Sequence, residues 1–431
     1  MKRLAKMITM VLPVAIGISA CQTGGSQTSA EPGNKTLGAY ADMALDKYSL
    51  ALSDAKSLQA AINDLAQNPN GSTLESAKSA WLVSRESYGV TEIFRLSNGP
   101  IDAEEGWVAD AYGALEGQIN AWPLDENLID YTIDENGNKT SGNIIDTVGS
   151  FNPGGEDPET VDVSSIDKDT LAALNENGGE SNVATGYHAI EFLLWGQDQD
   201  YANFSDDSIT RGPLTAGQRP VSDFTGGIAG QRRLQYLQAS VALLIDDLTN
   251  VTSAWSKNTS GNCDADSTGC YRAALLGQLG GSDAAKNIPE AVALRQIISG
   301  MGVFIKSELA NERIAVAVLT PSEEDEHSCF SDNTHRDISL NYQGFVNVLK
   351  SEWGDKSYGS SLYASASDGT REQLDGLIRK INGQVAEMNV IAESKWHFDY
   401  QILPGNHDRQ IRRMKNDMRK LGDMMVSVAG D

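Results

Sequence analysis

The chain has 431 residues, of which 59 are Asp or Glu and 34 are Lys or Arg, so its formal net charge is -25 at pH 7. Such an acidic surface repels phosphate, which argues against a nucleic-acid-binding protein, and it also disfavours adhesion to anionic lipid. Charge alone leaves two interpretations open, which are solubility and the attraction of cations to carboxylate-lined clefts.

The N-terminus has the features of an export signal. Three basic residues precede an apolar run over residues 7–18, which is too short to span a membrane. The run ends in Ile-Ser-Ala-Cys, which resembles a lipobox, so we expect residues 1–20 to be a lipoprotein signal peptide and Cys21 to be acylated. An ordinary cleaved signal is the alternative. Gln22 follows the cysteine, and absence of Asp there resembles lipoproteins of the outer membrane, here on the periplasmic side.

Residues 21–35 are rich in Gly, Ser, Thr and Pro and predict a flexible tether. Apolar residues at spacings of three and four then predict an amphipathic helix over residues 37–65. Ser72 and Glu75 form a capping-box pattern, which predicts a second helix that continues to about Leu96.

The rest of the chain predicts further helices and one long irregular insertion over residues 100–163. No strand-like alternation is long enough to build a sheet. We therefore predict an all-α fold of two packed helical bundles, over residues 36–225 and 226–431. The later helices are predicted over residues 168–175, 183–195, 231–255, 289–319, 332–353, 371–393 and 407–428.

The most informative segment is the helix predicted to end at Gly196. It is apolar on almost every face, so we expect it to be buried. His188 and Glu191 are three residues apart on one face, and burying them costs several kcal/mol unless they pair or hold a metal. Imidazole and carboxylate suit zinc or iron. A hydrogen-bonded His–Glu pair in a polar core is the alternative.

A zinc peptidase needs more than this pair. Inverted zincin motifs place a histidine directly after the last glutamate, whereas Phe192 stands there in this sequence. Catalytic zinc usually takes three protein ligands and a water, so a third ligand must come from a distant part of the chain.

Two other segments concentrate polar residues. Residues 323–335 hold two of the five histidines, and Glu324 and His327 have the Glu-x-x-His order of di-iron bundles, although no second pair is found. A solvated acidic turn that caps the next helix is the alternative. A further set lines one face of the second helix, where it indicates a cleft or, alternatively, an exposed salt-bridged stripe: Trp81, Arg85, Tyr88, Glu92 and Arg95.

The cysteines agree with export. Cys263 and Cys270 enclose a short polar loop that a disulfide could close in an oxidising compartment. Cys329 is left over, and we expect a small buried apolar side chain there rather than a metal ligand or a reactive thiol.

From about Tyr40 to the C-terminus the sequence resembles the imelysin-like, iron-regulated lipoproteins. The resemblance implies two helical bundles with a site at their junction, induction under iron limitation, and a historical classification with metallopeptidases. The residues that carry it are Gly186, His188 and Glu191 of a Gly-x-His-x-x-Glu motif, Trp81, Arg85 and Glu92, residues 122–126 with Asp130, Glu308 to Ala310 with Glu312 and Arg313, and residues 325–335.

These observations give three functional hypotheses. The first is a protein that binds iron or chelated iron and assists iron uptake, with His188 and Glu191 as metal ligands. The second is a zinc peptidase that uses the same pair, and the third is a non-catalytic docking partner of an outer-membrane iron receptor. The residues expected to line the cleft are Arg85, Glu92, Asp125, Glu308, His327, Asp332 and His335.

Overall fold

The computed structural model of the chain describes residues 32–134, 136–198, 216–319, 321 and 326–430. The predicted signal peptide, the predicted acylation site Cys21, most of the predicted tether and the acidic residues Glu323, Glu324 and Asp325 lie outside the described residues. From residue 32 onward the chain forms one compact unit. In the described part, no helix is both long enough and apolar enough to cross a bilayer.

Helices carry the fold. The first half contains α1 (Pro32–Gln67), α2 (Gly71–Gly89), a 3-10 turn (Glu92–Phe94), α3 (Gly106–Tyr112), α4 (Glu116–Ile119), α5 (Glu126–Ile129), α6 (Lys168–Leu174), α7 (Gly186–Trp195) and α8 (Ser222–Thr225). The second half contains α9 (Gly227–Ala254), α10 (Cys270–Leu275), a 3-10 turn (Gly281–Lys286), α11 (Glu290–Val303), a π-helical segment (Phe304–Val316), α12 (Ala317–Leu319), α13 (Thr334–Lys350), α14 (Leu362–Ser365), α15 (Asp368–Ser394), α16 (Phe398–Ile402) and α17 (Asp408–Gly430).

The all-α prediction is confirmed. Strands in the described residues are two-residue pieces that form two small antiparallel pairs. In the first, β1 (Ser150–Phe151) pairs with β2 (Val161–Asp162), and in the second, β3 (Glu352–Trp353) pairs with β4 (Lys356–Ser357). Each pair is too short to organise a core.

The start of α2 differs from the prediction. The capping box of Ser72 and Glu75 is wrong, because the helix begins after Asn70. The Asn70 side chain accepts from the backbone N–H of Thr73 at 3.2 Å, and the Thr73 hydroxyl accepts from the backbone N–H of Asn70 at 3.1 Å. Asparagine is as good an N-cap as serine, and the Thr73 hydroxyl takes the place that a glutamate side chain has in the usual capping box.

Helices from both halves of the sequence pack together. Helix α1 lies along α2, α9 and α11, and α2 also contacts α13. The periodic positions of α1 face this contact, since Tyr48, Ala55 and Leu58 are buried. This packing places α7 close to α2 and α9, and it brings the segment before α13 to the same place. The domain boundary near residue 225 stays a prediction.

Candidate functional site

Helix α7 is buried on all sides, as predicted for so apolar a segment. It begins at Gly186, where φ is +81° and an added Cβ would lie 2.3 Å from the carbonyl oxygen of Ile119. Only glycine fits both the left-handed backbone and this close approach. The glycine of the motif therefore allows α7 to abut the end of α4, and it fixes where the next two turns project their polar side chains.

His188 and Glu191 form one end of a buried chain of polar groups. The Nδ1 atom of His188 lies 3.1 Å from Oε2 of Glu191, and both side chains are fully buried. The other carboxylate oxygen, Oε1, accepts hydrogen bonds from the backbone N–H and the hydroxyl of Ser331 at 3.0 and 2.7 Å. Both oxygens of Glu191 are therefore engaged, and their orientation is fixed.

His327 faces His188 from the segment that precedes α13. The two Nε2 atoms are 3.1 Å apart, and Nδ1 of His327 lies 2.6 Å from Oδ2 of Asp337. Asp337 also accepts from the Ser328 hydroxyl at 2.6 Å and from Nε of Arg85 at 2.9 Å. Nδ1 of His327 also lies 3.3 Å from Nη2 of Arg85, but the shorter contact with the Asp337 carboxylate places a hydrogen on Nδ1, so in a neutral ring Nε2 has none.

We call Glu191, His188, His327 and Asp337 the histidine chain, because three contacts join these four groups. Burial and nearby positive charges lower the pKa of both histidines well below the usual value, so both rings are neutral at pH 7. A neutral imidazole carries one N–H, and two N–H groups serve only two of the three contacts. Burial raises the pKa of Glu191 to about 8, and its protonated carboxyl group supplies the third hydrogen.

Glu92 forms the centre of a second buried network beside the histidine chain. It accepts hydrogen bonds from Arg85 at 3.2 Å, Asn120 at 3.2 Å and Asn341 at 3.1 Å, and it also pairs with Arg313. Burial raises the pKa of Glu92, but the guanidinium groups of Arg313 and Arg85 outweigh that effect and lower the pKa to about 2. This carboxylate is therefore ionised at any physiological pH and locks both arginines in place.

A cavity of about 510 Å³ lies beside the histidine chain. His327 belongs to its wall, as does Trp122, whose ring packs edge-on against His188 with centroids 4.8 Å apart. The cavity therefore reaches one histidine directly and is separated from the other by an aromatic ring. The lining residues are Arg95, Glu116, Gly117, Asn120, Ala121, Trp122, Pro123, Glu176, Glu180, Glu308, Glu312, Arg313, Val316 and His327.

Residues 44–423 match the family model described as imelysin, which carries the name Peptidase_M75. This chain belongs to the imelysin family. The iron-regulated protein A of Synechococcus elongatus is 24% identical over 354 residues, which cover 81% of this chain and 72% of that protein.

Two solved structures have a similar fold. A putative iron-regulated protein A precursor from Parabacteroides distasonis superposes with a TM-score of 0.59 at 17% identity, and the match covers 94% of this chain and 96% of that one. An imelysin-like protein from Psychrobacter arcticum gives a TM-score of 0.53 at 14% identity with the same two coverages. At these identities the similarity shows the fold alone.

The cleft residues predicted for this imelysin-family chain fall into two groups. Arg85, Glu92 and Glu308 lie in the connected ion-pair networks around the histidine chain, and His327 lies in the chain itself. Asp125 instead caps α5, where it accepts from the backbone N–H of Leu128, and it is outside the cavity wall.

Asp332 and His335 lie at the start of α13. Asp332 is buried with φ at +56° and pairs with His397, and its carbonyl oxygen lies 3.2 Å from Nδ1 of His335. Neither side chain lines the cavity. Cys263 and Cys270 form a disulfide with Cα atoms 5.9 Å apart, and Cys329 is buried.

Sequence reasoning missed Asp337 and Asn341, which orient His327 and Glu92. They are four residues apart on the buried face of α13, between apolar neighbours such as Ile338 and Phe345. Polar residues on an otherwise apolar helical face were the available signal, and the same reasoning that singled out α7 would have found them.

Proposed function

We propose that this protein binds iron between the imidazoles of His188 and His327 and assists iron uptake. The observation that carries the proposal is the distance of 3.1 Å between their Nε2 atoms. Two ring nitrogens that both lack hydrogens repel each other at this distance, so the gap must hold either a hydrogen or a cation. A metal ion that takes the place of the hydrogen provides the attraction that holds both rings.

The distance suits two ligands of one ion. Imidazole nitrogens bind first-row metals at about 2.0–2.1 Å, and two such bonds at about 90–110° leave their nitrogens roughly 2.8–3.4 Å apart. The Nδ1 atom of each imidazole also contacts a carboxyl group. That of His188 contacts Glu191, and that of His327 contacts Asp337. A carboxylate on the second nitrogen orients a ligating histidine and increases its basicity. Glu191, predicted as a ligand, acts in this proposal by orienting His188.

In this proposal the protein contributes two nitrogen ligands and the cargo brings the others. Among the residues that the structure describes, no group of three or more His, Cys, Asp or Glu side chains is arranged to hold a metal. His327 borders the cavity, from which water or chelator oxygens can complete the shell. Structural zinc sites are closed by four protein ligands, so an open pair suits an ion that is loaded and released.

Iron is proposed as the cargo because the related proteins from Synechococcus elongatus and Parabacteroides distasonis are named for iron regulation. Histidine imidazoles bind ferrous iron and zinc alike, so the ligand type alone does not select between these two metals. The lipobox-like leader supports a place on the outer membrane, anchored through Cys21. An outer-membrane iron receptor is the partner we propose there, and a pull-down that survives His188→Ala would favour docking without metal binding.

The zinc-peptidase alternative draws on the name of the family model. Hydrolysis at zinc usually needs three protein ligands, a bound water and a base. Glu191 is the candidate base on α7, but it is fully buried and its oxygens are engaged by Ser331 and His188. We therefore propose binding without hydrolysis. Cleavage of an unfolded peptide that stops with a chelator and with Glu191→Gln would favour the peptidase instead.

The test is metal binding by the full chain, measured by elemental analysis and by calorimetry with ferrous, ferric and zinc ions. We expect His188→Ala and His327→Ala each to weaken binding by at least about tenfold, because each removes a ligand. His407→Ala, which removes a buried histidine at the start of α17, is the matched control. His188→Gln keeps most of the side-chain volume, and thermal unfolding of each variant separates lost binding from lost folding. Equally weak binding by the wild type and all variants would refute the proposal.

A further inference from the structure

The cavity beside His327 has an uneven charge distribution. Its wall contains five glutamates and two arginines, a formal charge of -3. Both arginines are already paired, since Arg95 lies 3.1 Å from Glu116 and 3.0 Å from Glu308, and Arg313 lies 3.3 Å from Glu308. A ligand that enters the cavity therefore meets little uncompensated positive charge.

The other three glutamates of the wall, Glu176, Glu180 and Glu312, are exposed, and we call them the acidic rim. None of the three has an ion-pair partner within the described part of the chain. Burial and repulsion from Glu180 raise the pKa of Glu176, and burial and repulsion from Glu308 raise the pKa of Glu312. Within the rim, Glu176 therefore lies close enough to Glu180 to be repelled by it, and Glu312 lies close enough to Glu308, the neighbouring glutamate of the cavity wall, to be repelled in the same way.

We propose that the acidic rim captures an aquated metal cation as the cargo of the histidine chain and repels anionic iron chelates; this inference rests on the proposed function. Clefts lined by one sign of charge focus the field and increase the rate of capture of opposite charges by about 10- to 1000-fold. The same field repels a ferric chelate with a negative net charge. The rim thus defines the class of substrate, while His188 and His327 supply the bonds.

Arg85 does not offset this field. Its side chain is fully buried and lies outside the cavity wall. Its guanidinium group donates to Asp337, Asn120 and Glu92, so its positive charge is compensated by carboxylates within the protein. The two arginines of the cavity wall, Arg95 and Arg313, are both ion-paired with glutamates, so neither offers an uncompensated positive charge to an anionic chelate.

The test compares association kinetics at low and high salt, with Co²⁺ as a probe that does not oxidise in air. The rim variant carries Glu176→Gln, Glu180→Gln and Glu312→Gln. The matched control carries the same change at three exposed glutamates of α15, which are Glu372→Gln, Glu387→Gln and Glu393→Gln. Trp122, beside His188, reports binding by a change in fluorescence.

We expect the rim variant to associate with Co²⁺ at least about tenfold more slowly than the wild type at low salt, with an unchanged dissociation rate. In about 1 M salt the difference should nearly vanish, because the screening length falls to about 3 Å. The control variant should match the wild type within about twofold, since none of its three glutamates lines the cavity. Ferric citrate should bind the wild type more weakly than Co²⁺, and the rim variant should narrow that difference.

An unchanged association rate in the rim variant, together with Co²⁺ binding that His188→Ala abolishes, would overturn this inference and leave the proposed function standing. Tighter binding of ferric citrate than of Co²⁺ by the wild type would also overturn it. If the wild type binds no ion, the inference and the proposed function fail together. Circular dichroism of both triple variants verifies that they fold.

Discussion

Replacing Glu191 with glutamine should lock the histidine chain in its metal-free arrangement. Ser331 donates its backbone N–H and its hydroxyl to Oε1 of Glu191, so the amide oxygen of a glutamine must take that position. The amide NH2 group then faces Nδ1 of His188 and donates to it. His188 consequently carries its hydrogen on Nε2, where it fills the gap to His327.

The free energy needed to flip the glutamine amide determines the expected loss of metal affinity. To free Nε2 of His188 for a metal, the glutamine must flip, and its NH2 group then faces the N–H of Ser331. A buried donor left without an acceptor costs about 1–3 kcal/mol, which corresponds to roughly 5- to 150-fold in the dissociation constant. Loss of a carboxylate behind a metal-bound histidine typically costs about 10- to 100-fold, which agrees with this range.

Calorimetry with ferrous iron between pH 6 and pH 8 tests this reasoning. In the wild type, binding must release the proton of Glu191, whose pKa is about 8, so affinity should rise by up to about tenfold per pH unit over this range. Glu191→Gln has no such proton, so its weaker affinity should depend less on pH. Glu387→Gln, on the exposed face of α15, is the control. If Glu191→Gln binds with the affinity and pH dependence of the wild type, the hydrogen count in the histidine chain is incorrect.

Three further predictions concern stability. Glu92→Gln should lower the free energy of unfolding by about 3–5 kcal/mol in urea titrations, because it leaves Arg85 and Arg313 buried without their counter-ion. Metal-free protein should lose stability as the pH rises from about 4.5 to about 8, because over this range the Glu191 carboxyl group is protonated in the fold but ionised in the unfolded chain, and the loss should level off above the folded pKa of about 8. Glu191→Gln should lack this slope in chemical denaturation. Gly186→Ala should lower the melting temperature and reduce the free energy of unfolding by at least about 2 kcal/mol, because φ is positive there and an added Cβ would collide with the end of α4. Gly376→Ala is the control, and it should be neutral or slightly stabilising because an added Cβ in that part of α15 meets no neighbouring atom.

The spacing of apolar residues at three and four was sufficient to find the long helices, because each of them buries one apolar stripe against its neighbours. It predicted α1, α9, α15 and α17 nearly to their ends. It also singled out α7, where burial of His188 and Glu191 has to be explained by a partner. The identity of that partner was not available from spacing, since His327 is 139 residues further along the chain and meets His188 only after folding. The resemblance to imelysin-like proteins put His327 among the cleft residues but gave no contact.

Helix boundaries limited the rest of the site prediction. The stripe from Trp81 to Arg95 was expected on one continuous helix, but α2 ends at Gly89 and a 3-10 turn carries Glu92. The turn changes the direction of the chain and takes Glu92 into the interior, where Arg85 still reaches it at 3.2 Å. The stripe is therefore buried rather than exposed, and its charged residues Arg85, Glu92 and Arg95 belong to the ion-pair networks around the histidine chain.

The π-helical segment shows how a change of helical period reassigns partners. Glu308 and Glu312 are four residues apart and repel each other, and burial and this repulsion raise the pKa of Glu312. A π-helix closes hydrogen bonds between residues five apart, which brings Arg313 next to Glu308 at 3.3 Å. The same turn lets Arg313 reach Glu92 in the interior, while Glu312 stays exposed at the acidic rim. The π-helical segment thus places Arg313 in the buried ion-pair network and Glu312 in the cavity wall. The α-helical periodicity assumed in the sequence analysis does not predict this arrangement.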